Sequence, residues 1–153
     1  MGLSTRSASS TAKSVKAGAR TPIHRLARMS DYAVKNLSEI DNLSGSEEFQ
    51  IRFSRKYLDS VELGVSLVRV APDFEATDGH HHKEQEEAYV VVGGSGRIKL
   101  DDEVVELRKF DVVRVAPHVV RAFEAGPEGL EVIAVGGQKP EGGDGVRDLG
   151  RWA

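Results

Sequence analysis

The sequence of 153 residues contains no cysteine. This absence excludes disulfide scaffolds, thiolate nucleophiles, cysteine-ligated zinc sites and iron–sulfur clusters, so any bound metal must have nitrogen and oxygen ligands. No run of about 18 apolar residues occurs, and a membrane-spanning helix is therefore not expected. The longest apolar runs have the length of a β-strand. We predict a soluble protein without a membrane partner, located in the cytoplasm.

The sequence also lacks a surplus of positive charge. Its formal net charge at pH 7 is -3, and charges of both signs are interspersed along most of the chain. A nucleic-acid-binding protein needs a basic surface to neutralise phosphates, so nucleic acid is not an expected partner. The length allows one ordinary domain with tails, but not two full domains.

Residues 1–30 differ from the rest, because they contain six lysines or arginines and no acidic residue in a background of serine, threonine and alanine. This composition is compatible with a transit-like presequence, with a disordered tail, or with a start upstream of the natural one at Met29. All three alternatives stay open. We predict a flexible basic tail over 1–29, a β-barrel domain over 30–138 and a C-terminal tail over 139–153, where glycines are frequent.

The body of the chain consists of short β-branched runs that are separated by turn signals, and helical periodicity is nearly absent. One short helix is expected near residues 30–40. Many short strands with closely spaced turns are typical of an all-β sandwich or barrel. The predicted strands are 50–55, 61–70, 88–92, 97–100, 104–107, 111–115, 119–124 and 131–135.

Three consecutive histidines precede a cluster of acids. In an extended segment His80 and His82 share a face, whereas His81 points to the other side. A loop over 83–86 then leads to a strand that begins at Glu87, whose carboxylate can lie beside the two imidazoles. Two neutral imidazoles and one carboxylate suit divalent Fe, Mn, Ni or Zn and leave coordination positions open. The alternative is a solvated polar loop in which this spacing is accidental.

The same residues resemble the first motif of the cupin superfamily, in which His-x-His is followed by a glutamate and, after six residues, a glycine. Here these are His80, His82, Glu87 and Gly94, followed by the strand pattern of residues 88–100. The resemblance covers about 50–136. It implies an all-β, cupin-like double-stranded β-helix or jelly-roll barrel that carries a divalent metal and often forms a homodimer.

Residues 110–123 resemble the second cupin motif, but Arg121 stands where the family has its fourth ligand, a histidine. A guanidinium accepts no metal bond, so the resemblance implies a centre with three protein ligands. Arg121 could instead hold a carboxylate or phosphate of a small molecule bidentately, or it could form a salt bridge to Glu124 or Glu131. His118 is either a further ligand or an exposed histidine in a turn.

Tyr89 is expected on the same face as Glu87, where it either donates a hydrogen bond to a ligand or packs as a buried barrel tyrosine. The resulting hypothesis is a metal-binding single-domain cupin that acts on, or binds, a small polar or anionic organic molecule. Dioxygenase-type or isomerase chemistry is one possibility. A non-catalytic binding or sensing module is the second, and a metal-free structural barrel is the third.

Overall fold

The computed structural model describes residues 32–150, and the predictions for 1–29 lie outside this range. The regular secondary structure of the described part is almost entirely β-strand, with one short α-helix, α1 (Arg55–Leu58), and a 3-10 turn at Leu37–Glu39. The all-β prediction is confirmed. The strands are β1 (Phe49–Phe53), β2 (Gly64–Val70), β3 (Gly79–His82), β4 (Glu87–Leu100), β5 (Glu103–Arg108), β6 (Val112–Val115), β7 (Arg121–Gly136) and β8 (Gly145–Asp148).

Strand β7 is the centre of the sheet. It pairs with β4 along most of its length. Its other edge pairs with β3 at residue 121 and with β2 at residues 130–136. Strands β5 and β6 pair with the remaining edge of β4, β1 extends β2, and β8 extends β3. All these pairings are antiparallel, and the sheet curls into a barrel. The edge made by β3 and β8 brings the histidine triplet beside the first residue of β7.

Apolar side chains that alternate along β4 and β7 fill the interior of the barrel. Full burial of a side chain such as valine or leucine contributes about 1.5–3 kcal/mol, so this cluster supplies much of the driving force for folding. The buried cluster comprises Val68, Val70, Tyr89, Val91, Ile98, Leu107, Val115, Phe123, Ala125, Leu130, Val132 and Ala134.

Glycines allow β4 and β7 to continue where the sequence predicts breaks. β4 crosses 93–96 with two register shifts, and β7 crosses 126–129. A Cβ atom on Gly96 would overlap the carbonyl oxygen of Glu124, and one on Gly94 would overlap that of Gly129. Gly94 also has a φ of +64°, which favours glycine. The glycines therefore mark a close approach of two backbones as well as a bend.

The predicted helix near residues 30–40 is replaced, within the described residues, by the turn at Leu37–Glu39. Asn36 caps this turn because its side chain accepts a hydrogen bond from the Ser38 amide at 2.9 Å. The following Ile40 is buried in the domain. Helix α1 begins where the sequence predicts the end of a strand.

The predicted C-terminal tail differs from the structure at residues 145–148. This segment forms β8 and pairs in register with β3, so that His82 lies opposite Gly145 and Gly79 opposite Asp148. The expectation of a loose tail is therefore wrong for these residues. No helix in the range 32–150 is long and apolar enough to cross a membrane.

Candidate metal centre

Strand β3 places His80 and His82 on one face, as the alternation predicts. Their rings lie 5.4 Å apart between centroids and are nearly perpendicular, at 87°. Glu87, the first residue of β4, directs Oε2 between them, at 3.8 Å from Nε2 of His80 and 3.3 Å from Nε2 of His82. One ligand atom from each of the three residues lies within 4.8 Å of the others. The structure thus brings together the three residues that the sequence suggests as metal ligands.

The cluster is open to solvent on one side. The side chain of His80 is 40% exposed, whereas those of His82 and Glu87 are 12% and 14% exposed. A small molecule could therefore approach past His80, while the other two groups are largely shielded from water.

Arg121, the first residue of β7, lies directly behind Glu87 and is fully buried, with 0% exposure. Its Nη2 donates to Oε2 of Glu87 at 2.7 Å, and its Nε donates to the Tyr89 hydroxyl at 3.0 Å. Its Nη1 donates to the carbonyl oxygens of Pro117 and Val119 at 3.2 and 3.1 Å. These contacts use four of the five N–H groups of the guanidinium.

These contacts bear on the two interpretations of Arg121. Because at most one N–H group is left, a bidentate grip on a ligand carboxylate is not available in this arrangement. The alternative salt bridge exists but has a different partner, Glu87. The two expected partners are engaged elsewhere, Glu124 by Arg97 and Glu131 by Arg69.

Tyr89 is buried inside the barrel and packs edge-on against Phe123, with 5.2 Å between ring centroids. Its hydroxyl donates to Glu87 and accepts from Arg121. Burial, reinforced by the negative charge of Glu87, raises the pKa of Tyr89. Tyr89 therefore belongs to the hydrogen-bonded support of Glu87, and a contact of its hydroxyl with a ligand stays a prediction.

The electrostatic environment differs between the two histidines. Partial burial lowers the pKa of His80, and the nearby charge of Arg121 acts in the same direction. Burial also disfavours the charged form of His82, but contacts with Glu87 and Asp144 outweigh it, so the pKa of His82 is raised. Burial disfavours the Glu87 anion too, yet contacts with both histidines and Arg121 hold its pKa well below its usual range.

The C-terminal segment contributes two carboxylates that contact the histidine triplet. Oδ1 of Asp144 lies 2.8 Å from Nδ1 of His82, and Oδ2 of Asp148 lies 2.7 Å from Nδ1 of His81. His81 thus faces away from the cluster, as predicted. The role of Asp144 could not be predicted from the sequence, because this residue lies 62 residues from His82 in a glycine-rich stretch that carries no local signal beyond a turn.

His118 lies in the turn that follows β6. Its side chain is exposed, and it is not part of the ligand cluster found among residues 32–150. The carbonyl groups on either side of it, those of Pro117 and Val119, accept hydrogen bonds from Arg121. The backbone of this turn therefore supports the centre.

The residues of the centre fit a divalent transition metal. Nε2 of His82 is buried and has no hydrogen-bond partner within the described residues, although a carboxylate oxygen lies 3.3 Å away. If Nδ1 carries the proton, this arrangement sets a nitrogen lone pair against an anion, which is unfavourable unless a cation or a proton lies between them. Two imidazoles and a carboxylate form a suitable donor set for such a cation.

The fold and the cluster define a β-barrel with a candidate two-histidine, one-carboxylate centre. Residues 66–136 match the family model described as "Cupin domain". This match supports membership of the cupin superfamily. The recognition from the first motif is confirmed. Comparison with curated proteins found no match.

Solved structures with the same fold share little sequence with this chain, so they support the fold alone. A cupin protein from Bacteroides fragilis is 21% identical, with 73% of this chain and 88% of that chain covered and a TM-score of 0.60. The polyketide cyclase RemF from Streptomyces resistomycificus is 17% identical, with coverages of 69% and 78% and a TM-score of 0.58. Streptomyces PAC13, solved with uridine, is 15% identical, with coverages of 76% and 92% and a TM-score of 0.58.

Proposed function

We propose that this cupin binds a divalent transition metal through His80, His82 and Glu87 and presents it to a small polar organic molecule. The observation that carries the proposal is the buried Nε2 of His82, which has no hydrogen-bond partner among the described residues and faces the Glu87 carboxylate inside a cluster of three potential ligands. Fe, Mn, Ni and Zn are all compatible with this donor set.

Each residue of the centre has a separate role in this proposal. His82 and Glu87 form the shielded part of the centre, and His80 is the ligand at its exposed side. Arg121 and Tyr89 hold Oε2 of Glu87 by hydrogen bonds and keep the carboxylate ionised. When bound, the metal would supply Lewis-acid polarisation of a substrate oxygen or activation of O₂.

Two observations support a small organic ligand. The centre is open beside His80, and structures with the same fold include a polyketide cyclase and a protein solved with uridine. Catalysis of a dioxygenase or isomerase type is the first candidate. Non-catalytic binding or sensing is the second, and it is favoured by Arg121, because a fully buried and hydrogen-bonded guanidinium leaves three protein ligands instead of the family's four.

Metal analysis of untagged protein, purified without chelators, tests the proposal. His82→Ala should lose most of the bound metal because it removes a shielded ligand, whereas His81→Ala should retain it. Circular dichroism would confirm that both variants are folded. Equal metal content in wild type, His82→Ala, His80→Ala and Glu87→Ala would refute the metal centre and favour a structural barrel.

A second measurement separates catalysis from binding. Metal-loaded protein is incubated with pools of small polar metabolites, and each pool is followed by mass spectrometry and by the thermal stability of the protein. Metal-dependent consumption of a compound supports an enzyme, whereas stabilisation without consumption supports a binding module. The homodimer and the cytoplasmic location stay predictions; light scattering in solution would test the first.

A further inference from the structure

Asp144 lies immediately before β8 and is almost completely buried, with 4% exposure. Its two carboxylate oxygens have different partners. Oδ2 accepts hydrogen bonds from the backbone amides of Glu84 and Gln85 at 3.1 and 2.8 Å, while Oδ1 lies 2.8 Å from Nδ1 of His82. The Asp144 carbonyl also accepts from the Lys83 amide at 3.2 Å. Three successive backbone amides of the loop between β3 and β4 thus donate to this one residue.

An ionised carboxylate only accepts hydrogen bonds, so the Nδ1 atom that faces Oδ1 must be the donor. A neutral imidazole with its proton on Nδ1 has its lone pair on Nε2, and Nε2 of His82 is the atom directed at Glu87. We propose that Asp144 is a positioning residue that fixes the tautomer and the ring orientation of His82 and so presents Nε2 to the metal. This inference rests on the proposed function for its metal-binding consequence, but not for the tautomer itself.

The chain contains a matched control in the same segment. Asp148 makes a similar contact with Nδ1 of His81, at 2.7 Å against 2.8 Å, but His81 points away from the ligand cluster. Asp144 contacts the histidine that lies on the cluster side of β3, whereas Asp148 contacts the histidine on the opposite face. Asp148→Asn therefore repeats the chemical change of Asp144→Asn without touching a proposed ligand.

Asp144→Asn preserves the shape of the side chain but replaces the hydrogen-bond acceptor that faces Nδ1 of His82 with a donor. The amide oxygen can take the place of Oδ2 and accept from Glu84 and Gln85, whereas the amide nitrogen then takes the place of Oδ1. A donor at that place favours the His82 tautomer with a bare Nδ1 and a protonated Nε2. The substitution should therefore leave the loop attached and reverse the proton position on the ring.

The first measurement uses full-length protein stripped of metal. Two-bond ¹H–¹⁵N spectra of the histidine rings, recorded at a pH where they show neutral imidazoles, report the tautomer of each ring. We expect an Nδ1-protonated His82 in wild type and in Asp148→Asn, and an Nε2-protonated His82 in Asp144→Asn. An Nε2-protonated His82 in wild type, or the same tautomer in all three proteins, would overturn the inference whether or not the protein binds metal.

The second measurement is titration of the same three stripped proteins with Zn²⁺ or Co²⁺ by calorimetry. Loss of a carboxylate that orients a ligating histidine typically lowers metal affinity about 10–100-fold, and we expect this for Asp144→Asn but no marked change for Asp148→Asn. Equal affinities in the two variants would count against Asp144 as a positioning residue. Absence of binding in wild type would instead refute the proposed function, and the tautomer result would still decide the inference.

Discussion

Arg121→Met removes a buried charge while keeping an unbranched side chain of comparable length. In wild type the guanidinium is fully buried, donates to Oε2 of Glu87 at 2.7 Å and also binds the Tyr89 hydroxyl. The substitution leaves the Glu87 anion largely buried, without the one permanent cation that contacts it among residues 32–150. We expect a clear loss of stability in the metal-free protein.

The magnitude follows from the kind of contact that is broken. Removing one partner of a buried ion pair costs about 3–5 kcal/mol, because the other charge stays buried and uncompensated. For a protein of this size each kcal/mol lowers Tm by about 2–4 °C, so the expected decrease is about 6–20 °C. Of the two carbonyl groups released, that of Pro117 still accepts from the His82 amide at 2.8 Å and adds little.

Calorimetry or urea denaturation of chelator-treated protein provides the assay. The matched control is Arg114→Met, because Arg114 pairs with Glu86 on the surface, where the two side chains are 66% and 53% exposed. An exposed pair of this kind contributes about 0–1 kcal/mol. Similar stability losses in the two variants, or none in Arg121→Met, would refute the view that Arg121 compensates the charge of Glu87. Added Zn²⁺ should restore part of the stability of Arg121→Met if the metal binds the same carboxylate.

Two further predictions concern close packing and the ligand set. Gly96→Ala should destabilise the domain by about 1–3 kcal/mol or more, since the new Cβ would overlap the Glu124 carbonyl. Gly137→Ala should not destabilise it, because no atom lies within 4 Å of the new Cβ, and equal urea midpoints for the two variants would contradict the explanation. Arg121→His should add a fourth ligand and raise Zn²⁺ affinity in calorimetry, because residue 121 lies opposite His80 in the sheet; unchanged or weaker binding would show that an imidazole at this position does not reach the metal.

The ligand cluster could be predicted because its geometry is local. The alternation of side chains in a strand places His80 and His82 on one face whatever the rest of the fold does. The loop to Glu87 is short enough to bring the carboxylate beside them. The same alternation places His81 on the opposite face, where it contacts Asp148.

The continuity of the long strands could not be predicted in the same way. Glycines at 93–96 and around Pro127 are ordinary turn signals, and the sequence offers no measure of how closely two backbones approach. In the structure both stretches continue their strands, because β4 and β7 pair across them with shifts in register. The same residue types are typical of turns and of β-bulges, so only the presence of a paired strand distinguishes a bulge from a turn.

The supporting charges of the centre depend on contacts between distant segments. Arg121 is 34 residues from Glu87, and Asp144 is 62 residues from His82. Each supplies a buried group that fixes one proposed ligand: the guanidinium holds the carboxylate ionised, and the aspartate holds a proton on Nδ1 of the imidazole. Loss of Arg121 should therefore appear mainly as lost stability, and loss of the Asp144 carboxylate as a changed tautomer. β7 carries Arg121 on one side of β3, and the residue immediately before β8, Asp144, lies on the other side, so the centre is complete only when β8 has joined the sheet.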